Sequence, residues 1–483
     1  MRQGYLVPVF VPVFLALTVS ACLGPRPTFK GDGGGDNGEG GDTGSGGAHA
    51  SGGSSGSGGK TGAGGATGYG GGPGMGTGGA TGTGGAAGMG GATPTGGRTG
   101  TGGIIGTGGI GMGGMIGVGG KIGTGGSGTG GSGMGGMIVI TGPCDVLAAA
   151  GNPCVAAHST VRVLLGSYTG PLYQVCRGTS VAGPSSCAAG TAMDIGAITS
   201  GYANAAAQDT FCAGMACTIS TIYDQSGKGN HLKPAPGGNA KATADNPATA
   251  TDVLATINGH AAYGVFLKAN VGYRAGCTGC GVATATGTAT GDAPETIYMV
   301  TSEISLADNC CFDYGNAETT KNDDGNGAAE AVYFGGGVVW GTGSPGGHTN
   351  GPWVMADLEN GLYAGWENNQ DQNISTNTPL RLTFVTAVLV GDTMDKNAGM
   401  GRFALYGGDA TTGTLKTMYD GIRPAKTGYV PMHKEGSIVL GIAGDNSDGG
   451  AGWFFEGVMA SGAATLTTIN ALQANIVAAG YGK

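Results

Sequence analysis

The chain has 483 residues, of which 110 are glycine and only 11% are charged. Ordinary globular domains hold about 7% glycine and about 25% charge, so one uniform domain is excluded. The 19 prolines and the absence of a strict three-residue glycine period exclude collagen as well. Lys and Arg number 22 against 31 Asp and Glu, a net charge of -9, which offers no basic face to nucleic acid. Residues 31–140 hold 55 glycines in 110 positions, while the other 373 residues hold the remaining 55. Two materials are therefore joined end to end.

Residues 1–22 read as an export signal. Arg2 opens a positive segment, and Tyr5 to Leu17 is an apolar stretch too short and too proline-broken to span a membrane. It ends in Val19-Ser20-Ala21-Cys22. Small residues ahead of a cysteine resemble the processing site of bacterial lipoproteins, with Cys22 as the acylated mature N-terminus and several acyl chains giving a stable membrane anchor. Plain secretion with cleavage after Ala21 is the alternative. The lipoprotein reading is favoured because Cys22 is the one cysteine outside the C-terminal part.

Residues 23–141 repeat GTGG, GATG and GMGG units with almost no aromatic side chains. Such a stretch cannot bury a core that offsets its ordering entropy, so a disordered tether is expected, with an r.m.s. span of about 60 Å. Glycine-rich fingerprints carry no weight at this density. Gly59-Lys60-Thr61 resembles the end of a phosphate loop, but Ser54 stands where the first glycine is required.

Residues 142–483 read as one exported domain. Its predicted elements, in chain order, are a helix over 203–211, strands over 296–301, 331–334, 380–391, 437–442 and 454–459, and a helix over 465–479. In that last helix Leu466, Ile469, Leu472 and Ile476 share a face. Short strands, Gly/Asn turns and few helices argue for an all-β sandwich or jelly roll. The domain also holds the other ten cysteines. An even count in an exported chain reads as disulfides, and local spacing suggests Cys144–Cys154, Cys176–Cys187, Cys212–Cys217 and Cys277–Cys280. A zinc site at Cys277 and Cys280 is disfavoured, since no second CxxC and no histidine at ligand spacing accompanies them. Cys310 and Cys311 are adjacent: either a strained ring enforced by its surroundings or two separate thiols.

The chemistry is expected from carboxylates. No G-x-S-x-G elbow occurs, and His158, His231, His260, His348 and His433 form no cluster along the sequence. The octet Trp353–Asn360 runs from apolar residues into Asp357 and Glu359 with no Lys or Arg among them. On a strand the two acids would point to one face, and like charges kept together are often catalytic. Asp445 follows the 437–442 strand in the polar turn Gly444-Asp445-Asn446-Ser447. Strand-end loops commonly carry function, although turn-capping alone would account for this aspartate.

The residues then resemble a known family. GPCDVLAAAGNPCVAAHSTVR (142–162), IYDQSGKGNHL (222–232), CCFDYGNAET (310–319), GPWVMADLENGL (351–362) and KEGSIVLGIAGDNSDG (434–449) are similar, in order, to segments of glycoside hydrolase family 54, the α-L-arabinofuranosidase B family. The resemblance covers about 142–481. It implies a concanavalin-like β-sandwich that removes terminal α-L-arabinofuranosyl groups with retention. By motif match Glu359 is the nucleophile and Asp445 the general acid/base. Asp357 and Asn360, with the backbone at Gly361 and Gly444, bind sugar hydroxyls. Cys310–Cys311 becomes a disulfide platform under the sugar, and Trp340 walls the pocket. The mechanism needs neither metal nor organic cofactor, and retention implies carboxyl groups about 5–5.5 Å apart.

Some features depart from the family. Ala443 stands where the family usually has glycine, which is tolerated if its φ is negative. The Cys176/Cys187 and Cys277/Cys280 pairs look like additions, and no C-terminal arabinose-binding module is expected. The expected partners are arabinose-containing polysaccharides such as arabinoxylan and arabinan, and a membrane reached through the lipid anchor. The chain is expected to be exported, at the cell surface or outer membrane or else secreted, and to act as a monomer. The competing readings are a glycosidase for other furanosides or pentosides, a non-catalytic surface lectin, and a structural surface protein whose glycine-rich arm is the working part.

Overall fold

A computed structural model describes residues 140–483 except 279, 281, 283, 308, 337–350, 369–373 and 394–398. The signal segment with Cys22, residues 23–139 and Trp340 lie outside the described residues. The chain opens with α1 (Pro143–Ala149), β1 (Cys154–Ser159), β2 (Tyr173–Arg177), β3 (Thr191–Ile195), α2 (Ala205–Cys212), β4 (Cys217–Ile222) and β5 (Lys233–Pro234). Next come β6 (Val253–Ile257), β7 (His260–Leu267), β8 (Tyr273–Ala275), β9 (Glu295–Ala307), β10 (Asp313–Ala317), β11 (Glu330–Gly335), β12 (Trp353–Asp357) and β13 (Leu362–Tyr363). It closes with β14 (Val385–Asp392), β15 (Arg402–Asp409), β16 (Lys416–Ile422), β17 (Ser437–Leu440), β18 (Ala451–Ser461) and α3 (Leu466–Ala479).

These strands form an eight-stranded sheet in the order β16-β15-β14-β9-β18-β7-β6, with β1 also on β18. A seven-stranded sheet runs β13-β12-β11-β10-β17-β8-β5, and a small third sheet β3-β2-β4. Every paired strand runs antiparallel to its neighbour, as in β14 against β9 and β10 against β17. This is the all-β sandwich that the strand pattern predicts.

The first sheet is covered on both faces, which explains why its strands read as continuous apolar runs instead of alternating ones. Ile297, Met299, Ala387, Leu389, Phe403 and Leu405 join the core that also holds Val332, Phe334 and Val354 of the second sheet. Their neighbours Tyr298, Val300, Val388, Val390, Ala404 and Tyr406 pack instead with Leu147 of α1 and with Ile469, Leu472 and Ile476 of α3. The split follows the two-residue side-chain period.

Local chemistry sets the ends of the elements. Pro143 occupies the first turn of α1, and the Asp145 carboxylate accepts the Gly142 N–H at 2.8 Å. Thr465 caps α3 by accepting the Thr468 N–H at 3.2 Å, and Gly480 ends it at φ 79°. Leu466, in the first turn, is 48% exposed, so the apolar stripe of this helix begins at Ile469. Two predicted strands are shorter than their apolar runs. The run from Leu380 becomes strand only at Val385, because the Leu380 N–H donates to Pro352 O at 2.9 Å. The run at 437–442 stops at Leu440, where Gly441 turns at φ 77° and the Leu267 side chain occupies the place a Cβ would take.

Candidate active site

The second sheet presents a polar outer face. Tyr314 on β10 points inward, with its ring 5.4 Å from Phe454 of the first sheet and its hydroxyl 2.9 Å from His158 Nδ1. Its neighbours Asp313 and Gly315 must then point outward. Register carries that face across the sheet: Gly315 lies opposite Ala331, and Ala331 lies opposite Asp357. Two aspartates from strands distant in sequence thus share one side of the sheet.

β12 ends at Asp357, so the next acid does not reach the site as a strand residue. This corrects the picture of Asp357 and Glu359 alternating along one strand. Glu359 and Asn360 instead form a left-handed turn, with φ 63° and 54°. Non-glycine residues in this region cost about 1–3 kcal/mol each and persist where their surroundings hold them. The holding contacts are the Glu359 N–H donated to Asp357 Oδ1 at 2.9 Å and the Tyr429 hydroxyl donated to Glu359 O at 2.6 Å. Gly361 follows because the Tyr363 ring lies where a Cβ would be, 2.6 Å away. The turn buries Glu359 and leaves Asn360 exposed, its Nδ2 donating to Asp323 Oδ1 at 3.1 Å.

The loop after β17 brings up Asp445, half-buried, with Oδ1 accepting the Ser447 N–H at 2.9 Å. Ala443 is not among the positive-φ residues; Asn446 is, at φ 70°. The alanine therefore sits without the strain that a glycine would have been needed to avoid. Gly444 is tightly constrained, since a Cβ there would stand 1.6 Å from Oε2 of Glu318. Gly450 lies against the backbone of Cys311 and Phe312 in the same way. Cys310 and Cys311 are bonded to each other, and their sulfurs lie 3.9 and 3.6 Å from Asp357 Oδ2. Asp357, Glu359, Asn360, Gly361, Gly444, Asp445 and the Cys310–Cys311 pair therefore meet on one face, while Trp340 lies outside the described residues.

Three further residues belong to this constellation that the sequence reading did not single out. Glu318, directly after β10, is fully buried, and neither of its carboxylate oxygens meets a hydrogen-bond donor among the described residues. Single carboxylate oxygens of Glu318, Asp323 and Glu359 lie within 4.8 Å of one another. Asp313 forms a similar buried set with Asp357 and the two sulfurs. Arg274 on β8, 1% exposed, donates to the carbonyls of Gly444 and Glu318, and to Thr320 O at 2.9 Å.

The electrostatics follow from burial. Desolvation, then the neighbouring Asp357 charge, pushes Asp313 well above the carboxylate range. Desolvation holds Asp357 up to about 7, opposed by hydrogen bonds from Asp313 and the Glu359 N–H and aided by the charges of Glu318 and Asp445. Glu359 is pushed up by burial first, then by Glu318, Asp357 and Asp323. Burial also raises Glu318 and lowers Arg274 to about 10. A site crowded with acids beside one buried guanidinium must hold some of its carboxyls protonated near neutral pH. The disulfide leaves no thiolate among the Cys310, Cys311, Asp313 and Asp357 donors, so that set reduces to two carboxylates.

The remaining disulfides join Cys144–Cys154, Cys176–Cys187, Cys212–Cys217 and Cys277–Cys280.

Comparison with known proteins places the domain. A family model described as "Alpha-L-arabinofuranosidase B, catalytic" matches residues 143–482. The probable α-L-arabinofuranosidase B of Aspergillus fumigatus is 49% identical over 348 residues, covering 71% of this chain and 63% of the relative. An arabinofuranosidase/B-xylosidase of Trichoderma koningii is 49% identical over 347 residues, with the same coverage of 71% and 63%. A crystal structure of an arabinofuranosidase complexed with arabinofuranosyl-α-1,2-xylobiose matches with a TM-score of 0.62 and 45% identity, over 71% of this chain and 66% of that one. The chain thus spans somewhat less than two thirds of the length of these relatives.

Proposed function

Because this chain belongs to the α-L-arabinofuranosidase B catalytic family, we propose that it is an exo-acting retaining α-L-arabinofuranosidase. Its substrates are terminal α-L-arabinofuranosyl groups of plant-type polysaccharides, arabinoxylan and arabinan. The observation that carries this reading is the meeting of Glu359, Asp357 and Asp445 beside a vicinal disulfide on one sheet face. Glu359, in its ionised form, attacks the anomeric carbon while Asp445 donates a proton to the leaving oxygen. A water activated by Asp445 then releases the sugar from Glu359. Asp357, Asn360 and the backbone at Gly361 and Gly444 bind sugar hydroxyls, and the paired sulfurs of Cys310 and Cys311 give the ring an apolar floor.

The xylobiose-linked ligand of the solved relative supports arabinose branches on xylan as one substrate. The relative named arabinofuranosidase/B-xylosidase favours a second reading, in which xylosyl ends are also accepted. Pockets separate sugars of such similar size by only about 10–200-fold.

The five disulfides among the described residues fit an extracellular protein. Acylation of Cys22 and a surface-tethered domain are our finer reading, supported by the residues ahead of that cysteine.

The decisive assay is hydrolysis of p-nitrophenyl α-L-arabinofuranoside by the full chain beside Glu359→Ala and Asp445→Ala. The parent should turn over, and each variant should lose about 10²–10⁴-fold in kcat. A folded parent that leaves arabinosyl, xylosyl and galactofuranosyl substrates untouched, while still binding arabinan, would make the domain a lectin.

A further inference from the structure

Glu318 is a fully buried carboxyl without a hydrogen-bond donor among the described residues. It stands beside two residues that the proposed mechanism uses. One of its oxygens is within 4.8 Å of an oxygen of Glu359. Its Oε2 also fills the space where a side chain at Gly444, next to Asp445, would begin. Two ionised carboxylates at this spacing only repel, and they hydrogen-bond only when one carries a proton. We propose that Glu318 is a positioning residue that keeps one proton and donates it in a hydrogen bond to Glu359, so that Glu359 meets the sugar ionised. This inference rests on reading Glu359 as the nucleophile.

The acids facing the pair push both carboxyls up and so keep a proton on it, and attack by Glu359 requires that Glu318 be the one to hold it. Asp357 and Glu359 approach from the end of β12, Asp323 from the loop after β10, and Asp445 from the loop after β17. Glu435 acts on Arg274 and accepts the Thr319 N–H at 2.9 Å. Arg274 is the cation at this face, and its donors go to backbone carbonyls, including that of Glu318 itself, and to Ser437 Oγ. The Glu318 carboxylate therefore has a charge neighbour in Arg274 but no guanidinium N–H bonded to it. Through the cycle the Glu318 proton stays where it is. Glu359 forms and later breaks its bond to the anomeric carbon, and the transferred proton moves between Asp445 and the leaving oxygen or water. A neutral donor beside Glu359 stabilises its anion without adding charge to a site already rich in acids.

The test uses 2,4-dinitrophenyl α-L-arabinofuranoside, whose leaving group needs no acid, so that the acid limb of kcat/KM against pH reports the carboxyls that must be ionised, Glu359 and its neighbour Asp357. In the full chain, Glu318→Gln keeps a neutral donor and should keep the acid limb of the parent. Glu318→Ala removes the donor and should move that limb to higher pH by about one unit or more. An unmoved limb in the alanine variant, or a glutamine variant that behaves like alanine, overturns the proposal. Inactivity of the parent on every arabinofuranoside would instead sink the proposed function. Infrared difference spectra decide the proton independently of turnover and of whether the alanine variant folds. At neutral pH the parent should show a protonated-carboxyl band that Glu318→Gln lacks, and identical spectra overturn the proposal.

Discussion

Asp357 illustrates how a single residue trades stability for chemistry. Burial raises it to about 7, against about 3.9 in an unfolded chain. Between those values the folded state binds more protons than the unfolded one. The associated stability is therefore fully present below about pH 4 and is lost as pH rises through 7. Asp357→Asn removes the ionisable group, so its Tm should exceed the parent's at pH 8, with the gap narrowing towards pH 5. Hydrolysis should fall at both pH values. Scanning calorimetry at the two pH values checks this, and a gap of equal size at both would mean that Asp357 is already ionised in the folded state at pH 5, its affinity for the proton not raised by burial. The residues that could be read beforehand were those with an oddity in their immediate sequence: two acids without a base among their neighbours, and two adjacent cysteines. Glu318, Asp313 and Arg274 carry no such mark. Their significance comes from strand register and loop folding, which bring residues far apart in the chain within a few ångströms.

At the scale of elements, β8 and the loops after β10 and β17 act as one unit because Arg274 joins them. Its guanidinium reaches the carbonyls of Gly444, Glu318 and Thr320 and Ser437 Oγ. Only a planar fork of donors can do this, and an ammonium group cannot. Arg274→Lys should therefore lower kcat on p-nitrophenyl arabinofuranoside by about 10²-fold, since a displacement of about 1 Å at a reacting group costs that much. Far-UV circular dichroism should remain that of the parent; undiminished turnover would show that the loops hold Asp445 without the fork. The strands of the first sheet could be predicted because long apolar runs survive burial on both faces. In each of the two large sheets one strand end differs from the apolar run, β14 starting late where the Leu380 N–H turns to Pro352 O, and β17 ending early where Gly441 turns beside the Leu267 side chain. α1 escaped notice because seven residues begun by proline leave too short a pattern to show a helical period.

For the whole molecule, the anchoring proposal separates location from turnover. Cys22→Ala should shift the protein from the detergent phase to the aqueous phase on Triton X-114 partitioning, with kcat and KM on the small chromogenic substrate within about two-fold of the parent, because surface changes away from a site have small effects. A variant that stays in the detergent phase would rule out Cys22 as the acylated residue.

The two coverings of the first sheet also decide how the domain can meet a solid. Thr141 enters beside α3, its carbonyl accepting from Asn475 Nδ2 at 2.8 Å, on the side where α1 and α3 pack. The acids lie on the outer side of the other sheet, across the full thickness of the sandwich. The N-terminal end of the described domain therefore lies on the side opposite the acids. Immobilisation of the protein through its N-terminus is expected, for that reason, to leave hydrolysis of the small chromogenic arabinofuranoside unimpaired.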